Sequence, residues 1–496
     1  MTAHGAIDSG LRPPRGRRLL YVVGAVVTAT SAATLPGIVT GLVYREWDDV
    51  AALAVGGAVI ATIGLAAWRV VGRPGPFNTR EGLAVVSLAW IAMTVAGTLP
   101  YLLSGAISGP TDAVFESAAG FTTTGATVFP DPAVLSHALL MWRATTQWIG
   151  GMGVIVLFVA VLPLLGVGSV ELARAEAPGP EPERLTPRFQ QTAKRLWVIY
   201  LGLTGAEVVL LAAGDMSLFE AVANSMTTVS TGGFSTTADS LGAFGAYSQW
   251  VVVAFMFLAG TSFALHFRAR AHVSRYLGNA EFRLYGSIVI AAAALIGIGI
   301  ATDGTAAASV RDAVFSAVSL VTGTGYHTAN FGAWTGALQV LVVALMFTGA
   351  MAGSTTGAIK TYRLGVLTKS SAAGLKRVAY PDAVITPRFG GRPLPEAIVR
   401  NTQTLFLFYM MVFVTATVGL ALVDAVSGSA VDLVTATSAV ASALGNIGPG
   451  LAGVGPGESY QAIAAGGKWL LAFVMIVGRL EIFPMLLLFT RYLWRR

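Results

Sequence analysis

Four short polar stretches interrupt an otherwise oily chain: FTTTGAT (121–127), VSTGGFS (229–235), TGTGYHT (322–328) and GNIGPGL (445–451). They centre on Gly125, Gly232, Gly325 and Gly448, with Thr or Ser beside the glycine in three of the four. Such residues do not make an acid–base or nucleophilic site. Glycine admits a positive φ, so successive carbonyls can point the same way. Carbonyl oxygens gathered about one point replace the hydration shell of a stripped cation. The chemistry these stretches suit is therefore ion coordination by main chain, with hydroxyls in support.

Elements that position such loops must cross a membrane. The chain has 496 residues, 54% hydrophobic and 11% charged, with a mean hydropathy of +0.69. A soluble surface needs about a quarter of its residues charged. Spanning windows fall near 19–44, 50–71, 80–104, 135–166, 192–213, 246–267, 282–302, 334–367 (interrupted), 398–426 and 462–490, roughly ten for a core about 30 Å thick. The N-terminal RPPRGRRLLYVVGAVV has the pattern of a signal peptide, but its apolar run continues to about Tyr44 and more spans follow, so it is read as a retained first helix. No cysteine is present, which excludes disulfides and thiolate metal sites.

After two leading spans the chain repeats itself four times: apolar span, short half-helix, Gly-centred loop, second span. Asp-Ala-Val-Phe occurs at 112–115 and again at 312–315, each Asp thirteen residues before its glycine. Phe219 to Gly232 keeps that spacing, and Asp432 to Gly448 is longer. Segments such as ESAAGFTT and EAVANSMTT are too short to cross and too polar to face lipid, so they read as half-helices that enter and return. Main chain of this kind persists at membrane depth only where it is buried in protein or lines a watery cavity. The half-helices would end at the loops, aiming the negative ends of their dipoles at a shared centre.

The expected architecture is an all-α polytopic membrane protein: a peripheral two-helix unit (1–75), then helix–pore loop–helix repeats at 76–172, 190–275, 280–375 (second helix interrupted) and 395–496, around a central ion pore. Basic residues at Arg12 to Arg18, Arg69/Arg73/Arg80, 174–195, Arg268 to Arg283, 360–400 and Arg491/Arg495/Arg496 fall on one side, which the positive-inside rule makes cytoplasmic, with both termini inside. Arg45, Arg143, Arg311 and Lys468 lie on the other. Opposite the basic face are Asp48, Asp49, Asp112, Glu116, Asp131, Asp215, Glu220, Asp239, Asp303, Asp312, Asp432 and Glu458. Together these are expected to form an acidic outer mouth that concentrates cations.

The ordered set TTTGAT, WIGGMGVIVLFVAVLPLLGVG (148–168), RAEAPGPEPERLTPR (174–188), STGGFS, AGSTTGAIK (352–360), NIGPGL and GRLEIFPMLLLF (478–489) resembles the Trk/Ktr/HKT potassium-transporter superfamily, of the bacterial TrkH type, from about residue 80 onward. GTGYH also looks like the Gly-Tyr of potassium-channel filters. The resemblance implies a filter that binds K+ as transported ion, at Thr123, Thr124 and Gly125; Ser230, Thr231 and Gly232; Gly323, Thr324 and Gly325; and Asn446, Ile447 and Gly448. It further implies a homodimer in the bacterial inner membrane that docks a cytoplasmic, nucleotide-binding TrkA-like ring. Beyond membrane lipid, no nucleic-acid partner and no organic cofactor is expected.

The span after the third loop is broken by TGAMAGSTTG (348–357). Gly349, Gly353 and Gly357 recur every fourth residue, which also suits a close helix-packing face. Ser354, Thr355 and Thr356 put three polar residues mid-span, and the resemblance makes the segment an intramembrane gate beneath the filter. Arg479 lies within the last span, where a charge is costly and reads by default as functional or paired. Glu481, two residues on, cannot face it on a helix. By resemblance Arg479 acts as an electrostatic barrier beside the gate. Lys360 reads either as an anchor for the loop or as a snorkelling lysine. His266, His272 and His327 stand without ligand-spaced partners, Gly150 to Gly153 are packing glycines, and 172–190 is a cytoplasmic linker. Nothing suggests an enzyme; a secondary transporter of an organic solute with broken helices is the alternative.

Overall fold

The computed structural model describes residues 15–71, 79–160, 186–301, 306–428 and 431–491. Residues 72–75 and 161–172 of the expected units, residues 172–185 of the linker, Arg12, Arg73, Asp303, Arg495 and Arg496 lie outside them. The fold is helical, with one two-stranded hairpin, β1 (Arg388–Phe389) and β2 (Arg392–Pro393).

A leading pair consists of α1 (Arg15–Ser31) with α2 (Thr34–Tyr44), and α3 (Trp47–Val71). Small residues let them touch: an ideal Cβ on Gly24 would lie 2.9 Å from Gly64 O, and the reverse contact is the same. This unit docks on α7 (His137–Ala160), where Gly37 sits against the Ala138 carbonyl. At the same junction the Glu46 carboxylate accepts the His137 N–H at 2.9 Å and the Ala138 N–H at 2.8 Å, capping the first turn of α7.

The first repeat continues through α4 (Thr79–Ala96), α5 (Leu99–Leu103), α6 (Pro110–Phe121) and α7. The second comprises α8 (Thr186–Ala212), α9 (Leu218–Val229), α10 (Ala246–Ala259) and α11 (Phe263–Ala269). After the short α12 (Ser274–Gly278), the third has α13 (Ala280–Ile300), α14 (Ala306–Thr322), α15 (Gly336–Met346) and α16 (Thr361–Ala379). The fourth has α17 (Glu396–Ser427), α18 (Leu433–Gly445), α19 (Ala465–Arg479) and α20 (Phe483–Leu488).

Among the described residues six helices are long and apolar enough to cross a membrane, Leu19–Tyr44, Trp47–Val70, Glu81–Leu103, Ala193–Ala212, Ala280–Ile300 and Glu396–Ser427. They fall in six of the ten expected windows. Three of the remaining windows are not continuous helices. The 246–267 window bends by 96° between α10 and α11. The 334–367 window gives way to irregular chain between α15 and α16. In the 462–490 window, α19 stops at Arg479 because Glu481 and Ile482 take left-handed φ of 56° and 68° and Pro484 follows. Outer helices such as α13 and α17 expose Ile290, Leu295, Ile298, Met411, Val418 and Leu422, as lipid-facing helices do.

The short helices are interior. With 12 residues, α6 and α9 are about 18 Å long at 1.5 Å per residue, too short to cross. Their last two turns are buried, as is nearly all of α18.

Burial alone would raise the pKa of Glu46, but the Ala138 and His137 bonds outweigh it, and the carboxyl lies below its ordinary 4.5. A depressed carboxyl contributes stability that is present above the unfolded pKa and lost as pH falls through the folded one. Glu46→Ala should lower thermal stability in detergent by about 1 kcal/mol at neutral pH, with the gap to the native chain narrowing below pH 4.5.

Candidate functional site

All four half-helices finish in the same turn. The residue after the cap is left-handed: Thr123 (φ 53°), Thr231 (φ 53°), Gly323 (φ 66°) and Asn446 (φ 55°). Its N–H reaches back three residues, to Gly120 O, Thr228 O, Leu320 O and Ala443 O, while the next N–H reaches back five, from Thr124 to Ala119 O, Gly232 to Thr227 O, Thr324 to Ser319 O and Ile447 to Ser442 O. That pair of bonds is a Schellman motif, here repeated four times. A left-handed glycine follows directly: Gly125 (φ 81°), Gly233 (φ 78°), Gly325 (φ 80°) and Gly448 (φ 109°).

These glycines close a ring. An ideal Cβ on Gly125 would stand 2.2 Å from Gly232 O, one on Gly233 1.8 Å from Thr324 O, one on Gly325 1.7 Å from Ile447 O, and one on Gly448 2.8 Å from Thr124 O. Each repeat thus abuts the next, and the fourth returns to the first. The four bends share one centre, and main chain approaches main chain too closely for any side chain.

The ring corrects the register of the second loop. Its glycine is Gly233, not Gly232; Gly232 takes the place of Thr124, Thr231 that of Thr123, and Ser230 that of Thr122, outside the ring. Matching Thr-Gly to Thr-Gly shifted the alignment by one. The carboxylate spacing carries the right signal, because Glu220 to Gly233 is thirteen residues, as Asp112 to Gly125 is.

Side chains from several elements hold the ring from behind. Gln147 donates to Gly232 O at 2.7 Å and accepts the Phe234 N–H at 3.1 Å. Tyr460 donates to Gly448 O at 2.8 Å, and Ser319 to Tyr326 O at 2.7 Å. Tyr326 in turn reaches Thr227 and Asn224 O on α9. Threonine pairs recur, Thr122 with Thr124 at 2.7 Å and Thr322 with Thr324 at 2.8 Å. Asn446 bridges to Thr124 at 3.0 Å and to Met475 O at 2.9 Å. Sequence reasoning missed Gln147 and Tyr460, which lie on other helices and turns.

On one side the ring opens into a cavity lined by Gly125, Gly233, Gly325 and Gly448 with Arg143, His327, Glu458 and Tyr460. The expected acidic mouth is mostly absent, since Glu458 is its one acidic lining residue among those described. Glu116 is buried and pairs with Arg143 at 2.9 Å, and Asp112 pairs with Lys468 at 2.6 Å. Asp131, Glu220 and Asp432 cap helices, and Asp312 accepts from Thr328. Several of the carboxylates are thus engaged at helix ends or by buried cations.

On the other side lies the 347–360 segment. It is not a helix, so Gly349, Gly353 and Gly357 do not form a packing stripe: Gly349 and Gly353 are left-handed (φ 68° and 80°), and Gly357 is wedged against Gly445 O. Ser354, Thr355 and Thr356 are all buried. Thr355 Oγ1 donates to Val229 O and accepts from Thr231, each at 3.2 Å. Its carbonyl accepts from Arg479 Nη1 at 2.6 Å, and Arg479 Nη2 reaches Gly150 O on α7 at 3.1 Å. Arg479 therefore meets the segment, as expected, and Glu481 pairs instead with Lys360 at 3.3 Å and with Arg363. Lys360 is a buried anchor and does not snorkel.

Comparison with known proteins agrees with this geometry. The sequence matches the family described as TrkH, cation transport protein, over residues 52–494. The chain belongs to the TrkH family. Relatives include the Trk system potassium uptake protein TrkH of Halomonas elongata, 36% identical over 97% of this chain and 99% of that one, and TrkH of Escherichia coli K12, 35% identical with the same coverage. The crystal structure of the potassium transporter TrkH from Vibrio parahaemolyticus superposes with a TM-score of 0.89 at 34% identity, covering 97% of this chain and 100% of that one. A TrkH-family chain is a transport protein and not an enzyme.

Register separates two adjacent glycines by experiment. A Cβ at Gly233 strikes backbone in a left-handed residue, whereas one at Gly232 meets only the end of the Gln147 side chain, 2.3 Å away. In flux assays Gly233→Ala should lose at least tenfold more transport than Gly232→Ala; the reverse order would restore the sequence-based register.

Proposed function

We propose that this chain takes up potassium across the bacterial inner membrane, with both termini cytoplasmic. The observation that carries the reading is the cyclic contact of Thr124, Gly232, Thr324 and Ile447 carbonyls with the four left-handed glycines. A carbonyl oxygen has two lone pairs, so Gly232 O can hold Gln147 and still face an ion. Four half-helix C-termini bring partial negative charge to the same place. A cation shedding its water onto these oxygens meets preformed dipoles that cost little to reorganise.

In this mechanism the ion enters through the cavity beside Arg143 and Glu458, loses water at the ring, and then meets the 347–360 segment. That segment is the gate, and Arg479 is its electrostatic barrier. Arg479 is 2% exposed, and its Nη1 and Nη2 donate to carbonyls and not to a carboxylate. Its charge is therefore felt by any cation beneath the ring. Opening requires Thr355 to release Val229 O and the Arg479 guanidinium to withdraw. The chain works as a homodimer, and a cytoplasmic, nucleotide-binding TrkA-like ring drives that movement through the basic face. The Trk system of the named relatives supports such partners.

Flux of K+, Rb+, Na+ and Li+ into liposomes holding the purified chain tests the reading. The native chain should favour K+ and Rb+, and Gly325→Ser, placed at φ 80°, should lose that preference. Equal transport of all four ions by both proteins would remove the proposal. Separately, Arg479→Ala should raise resting flux several-fold, and a variant whose flux falls or stays level refutes the barrier role.

A further inference from the structure

A groove on the face away from the outer cavity has a chemistry that ion transport does not use. It lies between the start of α8 and α11, occupies about 310 Å³, and is lined by Lys194, Arg195, Val198, Ile199, His266, Phe267 and Arg270. Three cations stand at one end and no carboxylate lines it among the described residues. Arg195 and Arg270 lie over the same ring, 5.0 Å and 4.3 Å from the centroid of Phe267. One aromatic side chain thus holds guanidinium groups from two helices together. The His266 ring is held in the wall of the groove by Tyr276 Oη at 2.8 Å and Leu258 O at 2.9 Å.

The other end is oily. Val198 and Ile199 continue along α8 toward Leu201, and Trp197, Val198 and Leu201 are exposed on a helix that spans the membrane. A soluble partner would match the cations but not this apolar run. A phospholipid with an anionic head and an acyl chain matches both, and basic pockets between spanning helices recognise such headgroups. We infer that this groove binds an anionic phospholipid, its phosphate held by Lys194, Arg195 and Arg270 and its chain along Val198 and Ile199.

The bound lipid also reaches the gate. The α10–α11 break is bonded to the 347–360 segment, by Met351 N–H to Gly260 O at 3.0 Å and by Phe263 N–H to Gly353 O at 3.1 Å. A headgroup that ties Arg270 of α11 to Arg195 of α8 fixes the element on which the segment hangs. This coupling rests on reading 347–360 as the gate; the lipid site does not.

Two readouts keep these apart. Native mass spectrometry of the full chain, purified with phosphatidylglycerol, should show retained lipid. Lys194→Gln/Arg195→Gln/Arg270→Gln should weaken retention roughly fivefold per cation removed, while Lys369→Gln/Lys376→Gln, equally exposed, should not. In vesicles of phosphatidylcholine with and without phosphatidylglycerol, the native chain's Rb+ flux should depend on the anionic lipid and the triple variant's should not. Unchanged retention in the triple variant overturns the site. Lost retention with the lipid dependence of flux intact overturns the coupling. A gain in lipid retention on neutralising Glu171, Glu176, Glu181 and Glu183 would assign the cations to the chain's own acidic segment and also overturn the site.

Discussion

Everything in this molecule is arranged around four backbone turns that leave no room for a Cβ. Each half-helix must end in the same left-handed step, and the glycine after it must lie against a carbonyl of the neighbouring repeat. Glycine is demanded twice over, by φ and by space. Such a ring is stable only if its buried polar groups are satisfied. Gln147, Ser319, Asn446 and Tyr460 serve that end from four different elements. The interior accordingly carries many buried Ser and Thr beside its apolar core, while large apolar residues are also exposed on the outer helices.

The repeats agree at the ring and diverge below it. Gly150 meets Phe121 O as Gly478 meets Leu444 O, the same contact in repeats one and four. Beneath that level α10 bends, α15 dissolves into the 347–360 segment, and α19 halts at Arg479. A symmetric ring suits a spherical ion, which has no orientation to recognise. Beneath the ring that symmetry is not kept, and the third repeat alone carries the irregular 347–360 segment among the described residues.

Charge inside the helical bundle follows the same division. Arg143 is neutralised by Glu116, Lys468 by Asp112, and Lys360 and Arg363 share Glu481. These pairs offset the desolvation that burial imposes, and breaking one would cost about 3–5 kcal/mol. Arg479 is bonded to two carbonyls instead, which engages Nη1 and Nη2 without cancelling its charge. The same groups also bind Thr355 to α7 and α19, so one side chain ties the 347–360 segment to two helices.

Sequence alone was enough for the helical membrane class, the four Gly-centred bends, the interruption at 348–357 and the cost of Arg479, because hydropathy, glycine spacing and a charge amid apolar residues are local signals. The register of the second loop was legible only in the Glu220-to-Gly233 spacing, which the Thr231-Gly232 pair masked until the helix end separated the two glycines. Sequence did not reveal that Glu116 and Asp112 serve Arg143 and Lys468 instead of the mouth, or that Gln147 and Tyr460 support the ring. Those depend on which elements pack together, and packing between residues from 12 to 356 positions apart leaves no periodic trace in a chain. Tertiary structure decided them because a buried donor or charge must find its partner in space, wherever that partner stands in sequence.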